Sequence, residues 1–184
     1  MSSKAPAGEA SIAVGRPVMM VTTVLPWLQS ASRFHERWPP GPPGAVAGPA
    51  ARRSAALARQ LQHDQPPQYT AIIHEAALRM RFGGRDVARP QLEHLSKMSE
   101  QPHITLRVIP FDGTVFPTVG HGLDYAYGPV PALDTAQLDA AHGSELIHAA
   151  AQLTRYRLIL DRMKEAALEP NASRDLIHHI TQDT

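Results

Sequence analysis

Between Pro66 and Phe111 the chain reads PPQYTAIIHEAALRMRFGGRDVARPQLEHLSKMSEQPHITLRVIPF, a block whose order of elements leaves little freedom. Tyr69 to Ile73 is a short run rich in β-formers and predicts a strand. Glu75 to Arg81 predicts a helical turn or the strand's continuation. Gly83-Gly84 marks a turn whose backbone can take positive φ without steric cost. Val87 to Glu100 predicts a helix with Leu92, Leu95 and Met98 along its buried face. Pro90 then fits only near the first turn. Ile104 to Ile109 alternates β-branched residues and predicts a second strand, ended by Pro110.

Downstream the signals thin out and then recover. The chain is loop-rich from Phe111 to Gly122. Leu123 to Tyr127 and Ala136 to Leu138 are weaker strand candidates. Ser144 to Ala149 reads either as a strand or as the beginning of the helix that follows. Leu153 to Leu168 carries the clearest helical period, with Leu153, Tyr156, Leu160, Met163 and Ala167 on one face. Glu169 to Ser173 breaks it, and Ser173 is the expected N-cap of a last helix through Ile180. The expected fold is α+β: a small mixed sheet packed by helices, with a long C-terminal helix pair and a Pro-rich N-terminal arm. No internal repeat is visible.

Upstream, residues 1–17 are small and polar and are expected to form a flexible tail. Residues 18–49 form an N-terminal arm and linker. Val18 to Trp38, which carries Trp27 and Trp38, reads as a short helical or extended arm. Pro39 to Pro49 (PPGPPGAVAGP) sustains neither a helix nor a sheet ladder and reads as a spacer. Ala50 to His63 predicts a helix with Leu57 and Leu61 on one stripe. Residues 50–182 are expected to be a single ligand- or partner-binding domain.

A length of 184 residues suits one domain with an extension. At 43% hydrophobic and 5% aromatic, the core must rest on Leu, Ile, Val, Ala and Met. Eighteen Lys and Arg balance 17 Asp and Glu, so no basic footprint for nucleic acid is present. The absence of cysteine removes disulfides, thiolate catalysis and Cys-ligated zinc. No apolar run is long enough for a signal peptide core or a membrane span, and the expected location is the cytoplasm.

Two constellations carry candidate chemistry. The first is His74-Glu75 with Arg79 and Arg81. On a short helix Glu75 and Arg79 stand at i and i+4 and can pair on one face. That arrangement serves an anion or polar ligand, with His74 as acid or base. It serves equally as a structural ion pair tying the strand end to the Gly-Gly turn. The Gly-Gly turn before a helix invites a phosphate cradle, but neither a Lys-Ser/Thr pair nor a dinucleotide fingerprint accompanies it. The second constellation is His121, Asp124, Tyr125, Tyr127, Asp134, Asp139, His142 and Glu145. None of these has the helical pairing of a zinc-protease motif, so neither a metal nor a cofactor is expected. His178-His179 are expected to face solvent.

Several segments together resemble one family. HEAALRMRFGG supplies Glu75, Leu78, Arg79, Gly83 and Gly84; QLEHL supplies Gln91 and Leu92; VIPF supplies Val108, Pro110 and Phe111. ARQLQHDQPP and the segments from Leu133 to Met163 and Ala167 to Ile177 extend the match. The chain thus resembles, from about Leu25 to Ile180, the domain of unknown function that follows a Xre-type helix-turn-helix in actinobacterial, antitoxin-like transcriptional regulators. Two departures stand out. No helix-turn-helix is legible upstream, and Pro26-Trp27-Leu28-Gln29-Ser30 carries Trp where the family usually has Gly.

The resemblance implies a regulatory binding module without its DNA-binding domain, engaging a small ligand or a small partner protein rather than nucleic acid or membrane. His74, Glu75, Arg79, Phe111, Tyr125 and His142 are the expected contacts, in a pocket between the sheet and the C-terminal helices. A homodimer through the Trp27 and Trp38 arm is a further expectation. The alternative is a cofactor-independent enzyme of natural-product biosynthesis, of cyclase or isomerase type. There His74, Glu75, Tyr125 or His142 would be the acid/base group.

Overall fold

The computed structural model describes residues 18–22, 64, 66–81, 83–113, 122–140 and 143–184. The expected tail, the Pro/Gly linker, Trp27, Trp38 and the helix over Ala50 to His63 lie outside the described residues, as do His121 and His142.

The strands are β1 (Val18–Thr22), β2 (Tyr69–His74), β3 (Ile104–Ile109), β4 (Gly122–Ala126), β5 (Thr135–Ala140) and β6 (Gly143–Ile147). Among the described residues the helices are α1 (Glu75–Arg79), α2 (Arg85–Met98), α3 (Ala150–Ala166) and α4 (Pro170–Gln182). The strands form one six-stranded mixed sheet in the order β3-β2-β1-β4-β5-β6. β1, β2 and β3 run parallel; β4 turns antiparallel against β1 and continues as a meander through β5 and β6. The fold is α+β, with a mixed sheet packed by helices and a C-terminal helix pair. Val18–Thr22 takes the extended alternative and lies in the middle of the sheet. Ser144 to Ala149 likewise resolves in favour of a strand, β6.

The period-2 alternation of β2 and β3 sorts their side chains onto two faces. Tyr69, Ala71 and Ile73 of β2 and Ile104, Leu106 and Val108 of β3 face one way. They pack against Leu92 of α2 and Ile177 and Ile180 of α4. Ile72 and Ile109 face the other way, with Leu123, Tyr125, Ala136 and Ile147. There they meet Leu153, Leu160 and Met163 of α3 and Ala167 just past its end, residues of the stripe that the helical period marks out. Each fully buried Ile or Leu contributes roughly 1.5–3 kcal/mol, so these two layers are what hold the sheet.

The two C-terminal helices therefore cover opposite faces. The chain crosses from one face to the other around the outer edge of β3. That crossing explains a correction at Ser173. α4 begins with Pro170 in its first turn, where a missing N–H costs nothing, and its N-cap is Glu169. Ser173 is buried inside α4, where its Oγ accepts the Val108 N–H at 2.9 Å and donates to the Leu168 carbonyl at 3.1 Å.

Gly83 and Gly84 have φ of 77° and 86°, the left-handed region the turn requires. Pro90 is a second correction. It is the sixth residue of α2 rather than a first-turn residue, and removes the i→i−4 bond to Asp86. Both residues are exposed, so water can serve the freed carbonyl.

Candidate functional site

β2 ends at His74, and α1 begins at the next residue. The junction is held by His74 itself: its Nδ1 accepts the Ala76 N–H at 3.1 Å and caps the helix. That nitrogen must be unprotonated to accept, which places the ring proton of the neutral imidazole on Nε2. Burial lowers the His74 pKa, and the neighbouring Glu75 carboxylate partly offsets it.

Glu75 is buried at 6% exposure and uses both carboxylate oxygens. Oε1 accepts from Arg79 Nε at 2.6 Å, the i,i+4 pair the sequence predicts. Oε2 accepts the Phe111 N–H at 2.9 Å. The pair thus ties the end of β2 to the turn after β3, not to the Gly-Gly turn. Phe111 is 58% exposed and stands edge-on to the His74 ring, with centroids 5.5 Å apart. Arg81 turns elsewhere and donates to the Asp183 carbonyl at the end of α4. His74, Glu75, Arg79 and Phe111 therefore form one corner at the C-terminal ends of the parallel strands.

Tyr125 does not belong to this corner. The register aligns Tyr125 with Met19 and, across β1, with Thr70, four residues before His74. Four residues of strand span about 13 Å, and the two intervening strand spacings add about 9–10 Å sideways. A single small ligand touching His74 and Tyr125 would have to cross the packed interior. The expected pocket between the sheet and both C-terminal helices does not join the candidates either. α3 and α4 lie on opposite faces, and apolar side chains fill both layers.

Tyr125 instead anchors a second polar cluster. Its phenol donates to Asp134 Oδ2 at 2.8 Å, and the Gly128 N–H donates to Asp134 Oδ1 at 2.9 Å. Arg157 of α3 brings its Nε to 3.8 Å from the same carboxylate, a charge contact rather than a hydrogen bond. Asp134 is 1% exposed and Tyr125 fully buried. Burial, then the bond to Asp134, push the Tyr125 phenol up to about 12. Gly128 is required by packing, since a Cβ there would fall 2.6 Å from the Leu133 carbonyl. Tyr127 stacks obliquely on Tyr125, with centroids 4.8 Å apart.

The second constellation is thereby divided. Asp134 and Tyr125 bond to each other, Asp124 alternates onto the opposite face from Tyr125, and Glu145 is exposed on β6. Among the described residues no three His, Cys, Asp or Glu side chains converge on a metal position. Sequence reasoning gave Asp134 no structural role and overlooked Gly128 and Arg157. Arg157 had one usable signal, since it follows Tyr156 at the border of the α3 stripe.

Residues 31–179 match the family described as a domain of unknown function, DUF5753. The chain belongs to the DUF5753 family. No curated protein and no solved structure matches it. The DUF5753 match takes in both carboxylate clusters and begins after β1. Among the described residues no helix is long and apolar enough to cross a membrane.

Proposed function

We propose that this DUF5753 chain is the regulatory binding module of an antitoxin-like, Xre-family regulator. In this reading it engages a small partner protein or ligand rather than DNA. The carrying observation is the corner at the ends of β2 and β3. Ligands of open α/β sheets favour the C-terminal ends of parallel strands. There an exposed Phe111 and a side chain of Arg79 that is 41% exposed stand on a rigid base. Aromatic and arginine side chains on fixed backbone are what binding hot spots are made of. Glu75 supplies the rigidity by holding both the Arg79 guanidinium and the Phe111 backbone.

The enzyme alternative draws less support from this geometry. His74 Nδ1 is engaged in the helix cap and Glu75 in two hydrogen bonds, while Tyr125 lies in the separate cluster. The test is a calorimetric titration of the purified chain with a small toxin-like protein as the candidate partner. Binding should weaken by roughly tenfold or more in Phe111→Ala with thermal unfolding little changed, and likewise in Arg79→Ala with some loss of melting temperature, because the buried Glu75 carboxylate then lacks its partner. Turnover of a metabolite by the wild-type chain, abolished by His74→Ala, would overturn the proposal in favour of the enzyme.

A further inference from the structure

An arginine and a carboxylate often meet fork to fork, through two parallel N–H···O bonds. Glu75 and Arg79 meet through one. Glu75 Oε1 accepts from Arg79 Nε at 2.6 Å, while Oε2 is turned to the Phe111 N–H at 2.9 Å. Among the described residues nothing accepts from the two terminal nitrogens of Arg79, Nη1 and Nη2. The guanidinium is planar and carries its charge at every ordinary pH. A bond at Nε therefore leaves the Nη1–Nη2 edge facing another direction, on a side chain that is 41% exposed. Phe111 stands beside it, 58% exposed. The guanidinium and the Phe111 backbone are no further apart than one carboxylate and two hydrogen bonds allow.

We propose that the Nη1–Nη2 edge of Arg79 receives a single carboxylate carried on an apolar body, which lies against Phe111. This rests on the reading of the corner as the recognition surface, and names the chemistry it takes. Two parallel N–H donors match the two oxygens of a carboxylate. Charge decides against a phosphate dianion. Glu75 already gives the guanidinium one negative neighbour, and Asp112, next to Phe111, is exposed. Arg81, the next cation along the chain, is directed to the Asp183 carbonyl instead. His74 accepts the Ala76 N–H through an unprotonated nitrogen and adds no charge in that state. A contact of one ion pair and one ring is small, so isolated fragments should bind with a dissociation constant on the order of millimolar.

The test is a titration of the ¹⁵N-labelled chain followed by NMR, with N-acetyl-L-phenylalanine as the probe. The Phe111 amide and the Arg79 Nε–H signals should shift together. The neutral amide of the same compound should bind at least tenfold more weakly, and inorganic phosphate should shift neither signal. Arg79→Lys keeps the charge but not the fork, and should weaken binding of the acid roughly tenfold. Phe111→Ala should weaken acid and amide alike. N-acetyl-aspartyl-phenylalaninamide offers the same carboxylate from a side chain; whichever acid binds tighter tells a chain terminus from an acidic residue. Equal binding of acid and amide would overturn the proposal. So would an Arg79→Lys variant that binds the acid as wild type does, phosphate binding as tight as the acid, or no shift with either acid up to tens of millimolar. A chain that binds the acid but not a toxin-like partner would sink the regulator reading and leave this site standing. Partner binding that Phe111→Ala weakens, with no response to either acid, would do the reverse.

Discussion

Glu75 and Asp134 are the same device in two settings. Each is a buried carboxylate that accepts a backbone N–H from a turn and stands beside an arginine. Glu75 sits at a rim, with its arginine half in solvent and an exposed aromatic above it. Asp134 is sealed under the meander, with a fully buried phenol as its closest partner. A buried charge is tolerated where it is hydrogen-bonded, and at both sites each carboxylate oxygen accepts a hydrogen bond, although among the described residues Arg157 Nε at the sealed site finds none. The difference lies in what each leaves for other molecules. The rim cluster holds in place two side chains that solvent reaches, the groups proposed for recognition, whereas the sealed carboxylate contacts only the fold.

The comparison breaks most visibly at the sealed site. Asp134→Ala removes the acceptor of the buried Tyr125 hydroxyl and of the part-buried Gly128 N–H, and takes the carboxylate away from Arg157. The expected loss is about 3–4 kcal/mol, or roughly 10 °C in melting temperature for a chain of this size. Denaturant titration should show it as a shifted midpoint with an unchanged slope. A loss no larger than that of an exposed-site variant would mean that Asp134 is not the anchor of the meander.

Glu75→Gln sharpens the contrast from the other side. Glutamine keeps an oxygen for the Phe111 N–H but loses the charge that Arg79 meets. The stability cost should be only about 1–2 kcal/mol, since Arg79 is partly solvated already. Partner binding should fall further than stability does, because the guanidinium loses its fixed orientation. Equal changes in binding and stability would place Glu75 with Asp134 as a purely structural carboxylate.

The two clusters also differ in how far sequence could reveal them. Glu75 and Arg79 stand four residues apart on a helix, so their pairing follows from helical geometry alone. Asp134 finds its partners six, nine and 23 residues away, at Gly128, Tyr125 and Arg157, through a hairpin register that no local pattern specifies. The same limit runs through the fold. α3 and β3 were legible because their buried faces repeat at 3.6 and 2 residues. For β1, VMMV does not decide between helical and extended, because a short apolar run without period suits both. Ser173 misled because capping and edge satisfaction use the same hydroxyl chemistry. Only the tertiary position of β3 decides between them.

The smallest expected effect concerns pH, and only the rim cluster should show it. His74 caps α1 with an unprotonated nitrogen, and burial lowers its pKa from 6.5 against the partly opposing pull of Glu75. Between the lowered folded value and 6.5, the unfolded chain therefore binds more protons than the folded one. Stability rises with pH across that window. The contribution is complete above 6.5 and declines as pH falls through 6.5 towards the folded value. His74→Asn keeps a cap acceptor but cannot titrate, so its acid limb should be flatter. Tyr125→Phe provides the sealed-site control. With its phenol pushed up to about 12, Tyr125 is silent near neutrality, and that variant should lose the same stability at every pH from 5 to 8. Superimposable acid limbs for wild type and His74→Asn would remove His74 as the source of the slope and leave the rim as pH-insensitive as the interior.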